Sequence, residues 1–308
     1  MTSLPKIFAH RGAPAALPEN TLEGFQYAID VGADGLELDL LLTRDGVPVI
    51  THNPNLSGDT TRGAAGNWLP DQGPAINELT LEELRTFDVG GHRPGGDDAR
   101  KNPHQKQLHH CRIPTLDEFL TLVKNSPRKV ELLIELKHSP TADDHINPDD
   151  YVKVVADSIE HHGLVEQSYI HAFNWQILSA AARNHPQLHR SYLSALRSND
   201  PDGTVFSGSP WMDGLDPDFA PLPELLAQSG ASVWCPYFLD LDRENLTLAQ
   251  EQGLQVMTWT VNGEEDLRQE LQTGVDGIIT DDPKLALSLR AEMGPSNSNV
   301  HVLEVPSK

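Results

Sequence analysis

Short apolar runs alternate with longer amphipathic stretches along most of the chain, the pattern of repeated βα units around a parallel sheet. The apolar runs are Lys6–His10, Gly35–Leu42, Val130–Lys137, Ser168–Phe173, Arg190–Ala195, Ser232–Pro236, Gln255–Val261 and Gly277–Thr280. Helical periodicity places helices at Leu22–Val31, Leu116–Lys124, Tyr151–His162, Trp175–Asn184, Leu222–Ser229, Asn245–Gln252, Glu264–Thr273 and Pro283–Glu292. Eight strands, most followed by a helix, predict a closed α/β barrel.

A further apolar run, Val47–Ile50, lies too close to its predecessor for a parallel crossover, which needs a dozen or more residues. Asp45-Gly46 favours a tight turn, so this strand is predicted to double back as a hairpin. Pairing Arg44 with Val47 sets His52 directly across from Asp39 on the same face. From Asn53 to about Arg112 the pattern lapses into Gly, Pro, His, Asn and Asp, with one short helical stretch near Leu81–Thr86. Residues 53–112 are therefore expected to form a capping insertion over the barrel mouth that shapes substrate entry. Residues 1–293 form one barrel domain on this reading, and 294–308 a polar, flexible tail.

Composition narrows the partners. The 23 Lys and Arg against 45 Asp and Glu give a formal net charge of −22, which repels nucleic acid and anionic lipid surfaces in bulk. Neither nucleic acid nor a stable membrane association is expected, and an anionic substrate would need a local reversal of charge. Only Cys111 and Cys235 are present, so there is no disulfide framework. The amino terminus lacks a basic segment followed by a long apolar stretch, and no run approaches the roughly 18 apolar residues of a membrane span. A cytoplasmic protein is expected.

Candidate chemistry starts in Gly35-Leu-Glu-Leu-Asp-Leu-Leu-Leu42, where leucines alternate with Glu37 and Asp39. The two carboxylates share one face, and with the other face packed on helices they point into the barrel. Unpaired charges there would cost several kcal/mol each. Val130-Glu-Leu-Leu-Ile-Glu-Leu-Lys137 repeats the arrangement, with Glu135 and Lys137 on one face of the adjacent strand. Glu37, Asp39 and Glu135 then form a hard-oxygen site suited to one divalent cation, Mg²⁺ or Ca²⁺. The alternative is a buried network without metal, in which Glu37 and Asp39 pair with Lys137 and Arg11. Charge counting favours the ion: three carboxylates outweigh two cations by one, and a divalent ion makes the site singly positive. Such a site attracts a singly charged phosphodiester.

His10 ends the first strand and His52 ends the hairpin, which puts both at the mouth where barrel enzymes hold their active sites. A lone strand-end histidine is more often a hydrogen-bonded bystander, but two beside three acids favour function. Hydrolysis of a phosphodiester needs a base for the nucleophile and an acid for the leaving oxygen, and two imidazoles in opposite protonation states suffice.

His10-Arg11-Gly12, Pro18-Glu19-Asn20-Thr21, Glu37-Leu-Asp39, His52, Ile134-Glu135-Leu-Lys137 and Gly277-Ile-Ile-Thr-Asp-Asp-Pro283 resemble, in order and spacing, the glycerophosphodiester phosphodiesterase family. The resemblance covers nearly the whole chain. It implies a TIM (β/α)8 barrel, a divalent cation, and cleavage of a small-molecule glycerophosphodiester to sn-glycerol 3-phosphate and an alcohol. It also implies that Glu37, Asp39 and Glu135 ligate the metal, that His10 accepts a proton and His52 donates one. Arg11 and Lys137 would then stabilise charge on the phosphoryl oxygens.

Thr60-Thr61-Arg62-Gly63 matches the family's segment after the second histidine only loosely, and the insertion is longer than many. Phe173 and Trp259 fall at strand ends, where they either line a glycerol or head-group pocket or pack the barrel top. Glu19 and Asn20 precede the first helix, and either cap it or, for Glu19, reach substrate. His104, His109, His110 and Cys111 match no zinc spacing, and His161-His162 can satisfy the carbonyls that end their helix. Two other functions fit the barrel: a phospholipase C or D type enzyme, including a lysophospholipase D, and a silent binding protein. The first would need an apolar rim for lipid, and the second would be expected to have lost an acid or a histidine; none is missing.

Overall fold

A computed structural model describes residues 4–141, 146–199 and 202–293. In chain order the elements are β1 (Lys6–His10), α1 (Leu22–Val31), β2 (Gly35–Leu42), β3 (Pro48–Ile50), β4 (Asn55–Ser57), β5 (Gln72–Ala75), α2 (Leu81–Leu84), α3 (Asp97–Lys101), α4 (Leu116–Lys124), β6 (Glu131–Leu136) and α5 (Pro148–His162). There follow β7 (Ser168–Ala172), α6 (Trp175–Asn184), β8 (His189–Ser194), α7 (Leu222–Gln228), β9 (Val233–Pro236), α8 (Arg243–Glu251), β10 (Gln255–Thr258), α9 (Glu264–Glu270), β11 (Gly277–Thr280) and α10 (Pro283–Met293). Strands β1, β2, β6, β7, β8, β9, β10 and β11 pair in parallel in that order, and β11 closes on β1. This is a TIM barrel. The predicted tail, 294–308, lies outside the described residues.

Side-chain alternation divides the core in two. Ile7 and Ala9 of β1, Leu36, Leu38 and Leu40 of β2, and Leu132, Ile134 and Leu136 of β6 pack outward against the helices. Phe8, Leu133, Tyr169, Leu193, Val233, Cys235, Met257 and Ile279 fill the barrel interior. Phe8 fits only because its register partner is Gly35: a Cβ there would lie 2.2 Å from the ring. This apolar plug lies below the charged layer formed by the next inward positions. Helix starts are set by caps. Asn147 caps α5 with Pro148 in the first turn, so this helix begins three residues before the apolar periodicity does.

The hairpin of β2 and β3 departs from the predicted register. Leu40 pairs with Ile50 and Leu42 with Pro48, and Thr43 faces Val47, so Asp39 is opposite Thr51 rather than His52. The loop is three residues, Arg44-Asp45-Gly46, closed by Gly46 N–H to Thr43 C=O at 2.9 Å, with Gly46 at φ +77°. A three-residue loop ending in a left-handed glycine is a common hairpin geometry, and it shifts the pairing by one from the two-residue turn.

Residues 53–112 pack as a subassembly beside the mouth. β4 and β5 pair antiparallel, and Leu56, Ile76 and Leu84 form a small core with Val49 and Ile113. Arg62, nearly buried, meets Asp88 at 3.1 Å and donates to Leu108 C=O at 2.7 Å. Asp88 also accepts from the backbone N–H groups of Gly90, His110 and Cys111. The segment touches the β1–α1 loop through Lys106 N–H to Ala16 C=O and Gln105 Nε2 to Pro14 C=O, both at 2.8 Å. It rejoins the barrel where Ile50 N–H donates to Pro114 C=O. Cys111 and Cys235 are both free and buried.

Candidate active site

The inward positions of three adjacent strands build the acidic layer. His10 is in register with Glu37, and Asp39 with Glu135, so side chains distant in sequence meet at one level of the barrel. Oxygens of Glu37, Asp39 and Glu135 lie within 4.8 Å of one another, the only group among the described residues that could hold a metal ion. Their surroundings differ. Asp39 takes both cations: Arg11 Nε stands 3.1 Å from its Oδ2 and Lys137 Nζ 3.6 Å from its Oδ1. Lys137 also meets Glu135 at 3.0 Å. Glu37 accepts the backbone N–H of Arg11 at 3.1 Å, and no Lys or Arg side chain among the described residues pairs with it. Arg11 adopts a left-handed conformation at φ +51°, a backbone strain of the kind found at functional sites.

Electrostatics follow from that asymmetry. Burial and the neighbouring Asp39 push the Glu37 carboxyl up to about 8. Burial opposes ionisation of Asp39 too, but Arg11 and Lys137 outweigh it and hold that carboxyl well below the usual range. Glu135 is raised by burial, against the pull of Lys137. Asp39 Oδ1 is buried with no hydrogen-bond donor. A buried carboxylate without a Lys or Arg partner and an acceptor without a donor are both satisfied by a hard cation, so the residues fit Mg²⁺ or Ca²⁺. Of the metal-free alternative, the Asp39 half is present and the Glu37 half is not.

The two histidines face the same cavity of about 100 Å³, lined also by Arg11, Glu37, Glu135 and Lys137. His10 Nε2 is 3.8 Å from Glu37, and its Nδ1 is 2.5 Å from Asp281. Burial and Arg11 lower the His10 pKa, but Asp281 and Glu37 more than compensate, leaving it raised. His52 reaches the cavity despite the shifted register, with Nδ1 2.9 Å from Asn53 Oδ1. Burial lowers its pKa to about 4, against the opposing pull of Asp39.

Phe173 and Trp259 each follow a strand end and meet edge to face, centroids 5.2 Å apart, on the apolar wall of that cavity. Glu19 pairs with Arg11 at 3.3 Å. Neither Glu19 nor Asn20 caps α1; Thr21 does, accepting from Gly24 N–H. Asn20 instead donates to Asp39 at 3.0 Å from a left-handed backbone, φ +54°. His109 serves Arg62, and His162 accepts its place at the end of α5 by bonding Ser158 C=O.

Two residues escaped the sequence reading. Asp281 lay inside a quoted motif but was given no role. His171, buried on β7 and bonded to Ser191 Oγ at 2.8 Å, lines the cavity in register with Glu135; burial holds its pKa down at about 3. The alternation that marks Glu135 as inward also marks His171, one strand along.

Comparison with known proteins agrees with this geometry. The model of the glycerophosphoryl diester phosphodiesterase family matches residues 10–285. A glycerophosphodiester phosphodiesterase of Caldanaerobacter subterraneus is 28% identical over 286 residues, covering 92% of this chain and 96% of that protein. The crystal structure of a candidate glycerophosphoryl diester phosphodiesterase from Silicibacter pomeroyi superposes with a TM-score of 0.85 at 36% identity, covering 96% of this chain and 95% of that one. The barrel of an Oleispira antarctica phosphodiesterase, solved with its product sn-glycerol-3-phosphate, shares the fold at a TM-score of 0.68 and 22% identity, covering 93% and 96%. By fold, by acidic layer and by a match from the first histidine to the last helix, this chain belongs to the glycerophosphoryl diester phosphodiesterase family.

Proposed function

We propose that the chain hydrolyses glycerophosphodiesters to sn-glycerol 3-phosphate and an alcohol, with one divalent cation, Mg²⁺ or Ca²⁺, held by Glu37, Asp39 and Glu135. Membership of the family makes it a phosphodiesterase hydrolase. The observation that carries the finer reading is Glu37, a 3% exposed carboxyl beside two other acids that pairs with no Lys or Arg side chain among the described residues and has only His10 Nε2, at 3.8 Å, for a partly charged neighbour. When bound, the ion supplies charge stabilisation to a phosphoryl oxygen. Arg11 and Lys137, on either side of Asp39, supply the remaining positive charge.

His10 accepts the nucleophile's proton through Nε2 and His52 donates one to the departing alcohol; the nucleophile is water, or the glycerol hydroxyl next to the ester, in which case water then opens the cyclic phosphate to glycerol 3-phosphate. The negative charge of a bound phosphodiester raises the His52 pKa from its buried value toward the protonated state the donor needs. The Phe173–Trp259 pair gives the glycerol carbons an apolar wall, and Glu19 orients Arg11 at the rim. Product glycerol 3-phosphate in the Oleispira barrel supports the same bond being cut here.

Two channels leave His52. One, of about 690 Å³, is walled largely by residues of 53–112, with Arg11, Glu19, Asp59 and Arg93 in its lining, which supports a polar head group and a capping role for that insertion within a single domain. The other, about 390 Å³, is apolar, with Leu41, Pro54, Phe173 and Trp211 in its walls, and it favours a lysophospholipase D as the second reading. Choline release from glycerophosphocholine and from lysophosphatidylcholine, compared at equal concentration, separates them: faster release from the first is expected. Chelation is expected to abolish either activity, and added Mg²⁺ or Ca²⁺ to restore it. Full activity in excess EDTA, after bound metal is removed, refutes the cation-dependent reading. No helix among the described residues is long and apolar enough to cross a membrane.

A further inference from the structure

His10 is gripped from behind by groups that belong to two other strands. β1, β11 and β10 are consecutive in the barrel, and the residues just beyond or at their ends, His10, Asp281 and Asn262, form one chain of hydrogen bonds. Asp281 Oδ1 lies 2.5 Å from His10 Nδ1, and its Oδ2 accepts from Asn262 Nδ2 at 2.6 Å. Asn262 Oδ1 is itself occupied, accepting Asp281 N–H at 3.0 Å and Thr280 Oγ1 at 3.2 Å. The backbone donor fixes the orientation of the Asn262 amide, which aims its NH₂ at Asp281 and leaves the other carboxylate oxygen for His10.

We infer that Asp281, oriented by Asn262, is a positioning residue that holds His10 in the tautomer with hydrogen on Nδ1 and the Nε2 lone pair turned to the reacting centre. An ionised carboxylate only accepts hydrogen bonds, so the nitrogen facing it carries the hydrogen. The other nitrogen, 3.8 Å from Glu37, is then free to take a proton. The inference rests on the reading of His10 as the proton acceptor, but the tautomer itself is a property of the resting protein.

The network dictates what substitution does. In Asp281→Asn the new amide must offer its oxygen to Asn262 Nδ2, so its NH₂ turns to His10 Nδ1 and forces hydrogen onto Nε2. Adding Asn262→Asp reverses this: the new carboxylate takes the amide NH₂, and the amide oxygen again accepts from Nδ1. Turnover of glycerophosphocholine at saturating Mg²⁺ is expected to fall about 10³-fold in D281N, as a wrong histidine tautomer costs elsewhere, with KM within about threefold. The D281N/N262D double variant is expected to recover at least about tenfold of that loss, which repair of folding alone would not produce. In parallel, long-range ¹H–¹⁵N spectra of the chelated full chain, taken at a pH above the His10 titration so that the ring is neutral, with His10 assigned against His10→Ala, are expected to show Nδ1–H in wild type and Nε2–H in D281N. An Nε2–H signal in wild type, a D281N turnover within about threefold of wild type, or a double variant no faster than the single one overturns the inference. A wild-type chain without phosphodiesterase activity would overturn the parent reading instead, and the spectra would still decide the tautomer.

Discussion

Glu37 and Asp39 are two residues apart on one strand, equally buried, and held in opposite states. Arg11 and Lys137 both lie with Asp39, so its carboxylate is ionised, while Glu37 has a backbone N–H and the more distant His10 Nε2 and is pushed up to about 8. The histidines divide similarly, His10 backed by Asp281 and His52 left neutral by burial. If His52 serves the leaving group, its loss should matter only when the leaving alcohol needs a proton. His52→Ala is expected to cost about 10² or more on a diester with an alkyl leaving group and less than about tenfold on one releasing p-nitrophenolate. His10→Ala should cost about 10² or more on both, and steady-state rates that fall alike in the two variants on both substrates would contradict the division. Strand alternation pointed to the acids and Lys137 in sequence, and strand-end position to both histidines. Asp281 was not, because its partner is 271 residues away and a carboxylate two residues before a helix reads equally well as a cap. Asn20 was misread for the same reason: local capping is the default, and only the folded β1–α1 loop shows Asn20 turned to Asp39.

Among the elements, strands and barrel helices match their predicted positions closely, since each has a strong apolar period. The hairpin register failed by one residue because loop length is set by the conformation of Gly46, which a sequence shows only as a permissive residue. The pair β4–β5 and the helix α3 went unseen because they are short and polar, and the segment's order comes from side-chain bonds instead. Arg62 is the centre of that order. Arg62→Ala leaves Asp88 without its ion pair and Leu108 C=O without its donor, at an expected cost of about 2 kcal/mol, below the ~3–5 for a fully buried pair because both partners retain slight exposure. Thermal denaturation should show a lower Tm, and limited proteolysis should cut faster within 53–112 while cation binding by the barrel persists. Unchanged cutting would place the stability of the segment elsewhere.

Across the whole molecule, a chain of net charge −22 keeps three acids together inside its barrel, and that arrangement ties folding to pH and to the ion. Glu37 ionises near 4.3 when unfolded, as glutamates ordinarily do, and near 8 in the ion-free fold. The ion-free protein therefore loses stability as pH rises from about 4 to about 8, where the unfolded carboxyl is charged and the folded one resists. A cation binds the charged form, so the Tm increase from saturating Mg²⁺ should be small near pH 6 and grow toward pH 8, by up to about 1.4 kcal/mol of ion stabilisation per pH unit. Differential scanning fluorimetry across that range checks it, and a shift that stays constant or shrinks with rising pH would contradict the linkage. The claim beneath these expectations is the shared cation itself. Its most direct measurement is an anomalous difference map from crystals stripped with chelator and soaked in Mn²⁺ as a scattering surrogate: one strong peak about 2.0–2.6 Å from oxygens of Glu37, Asp39 and Glu135 together is the predicted result, and a map with no peak among these three carboxylates would contradict the account.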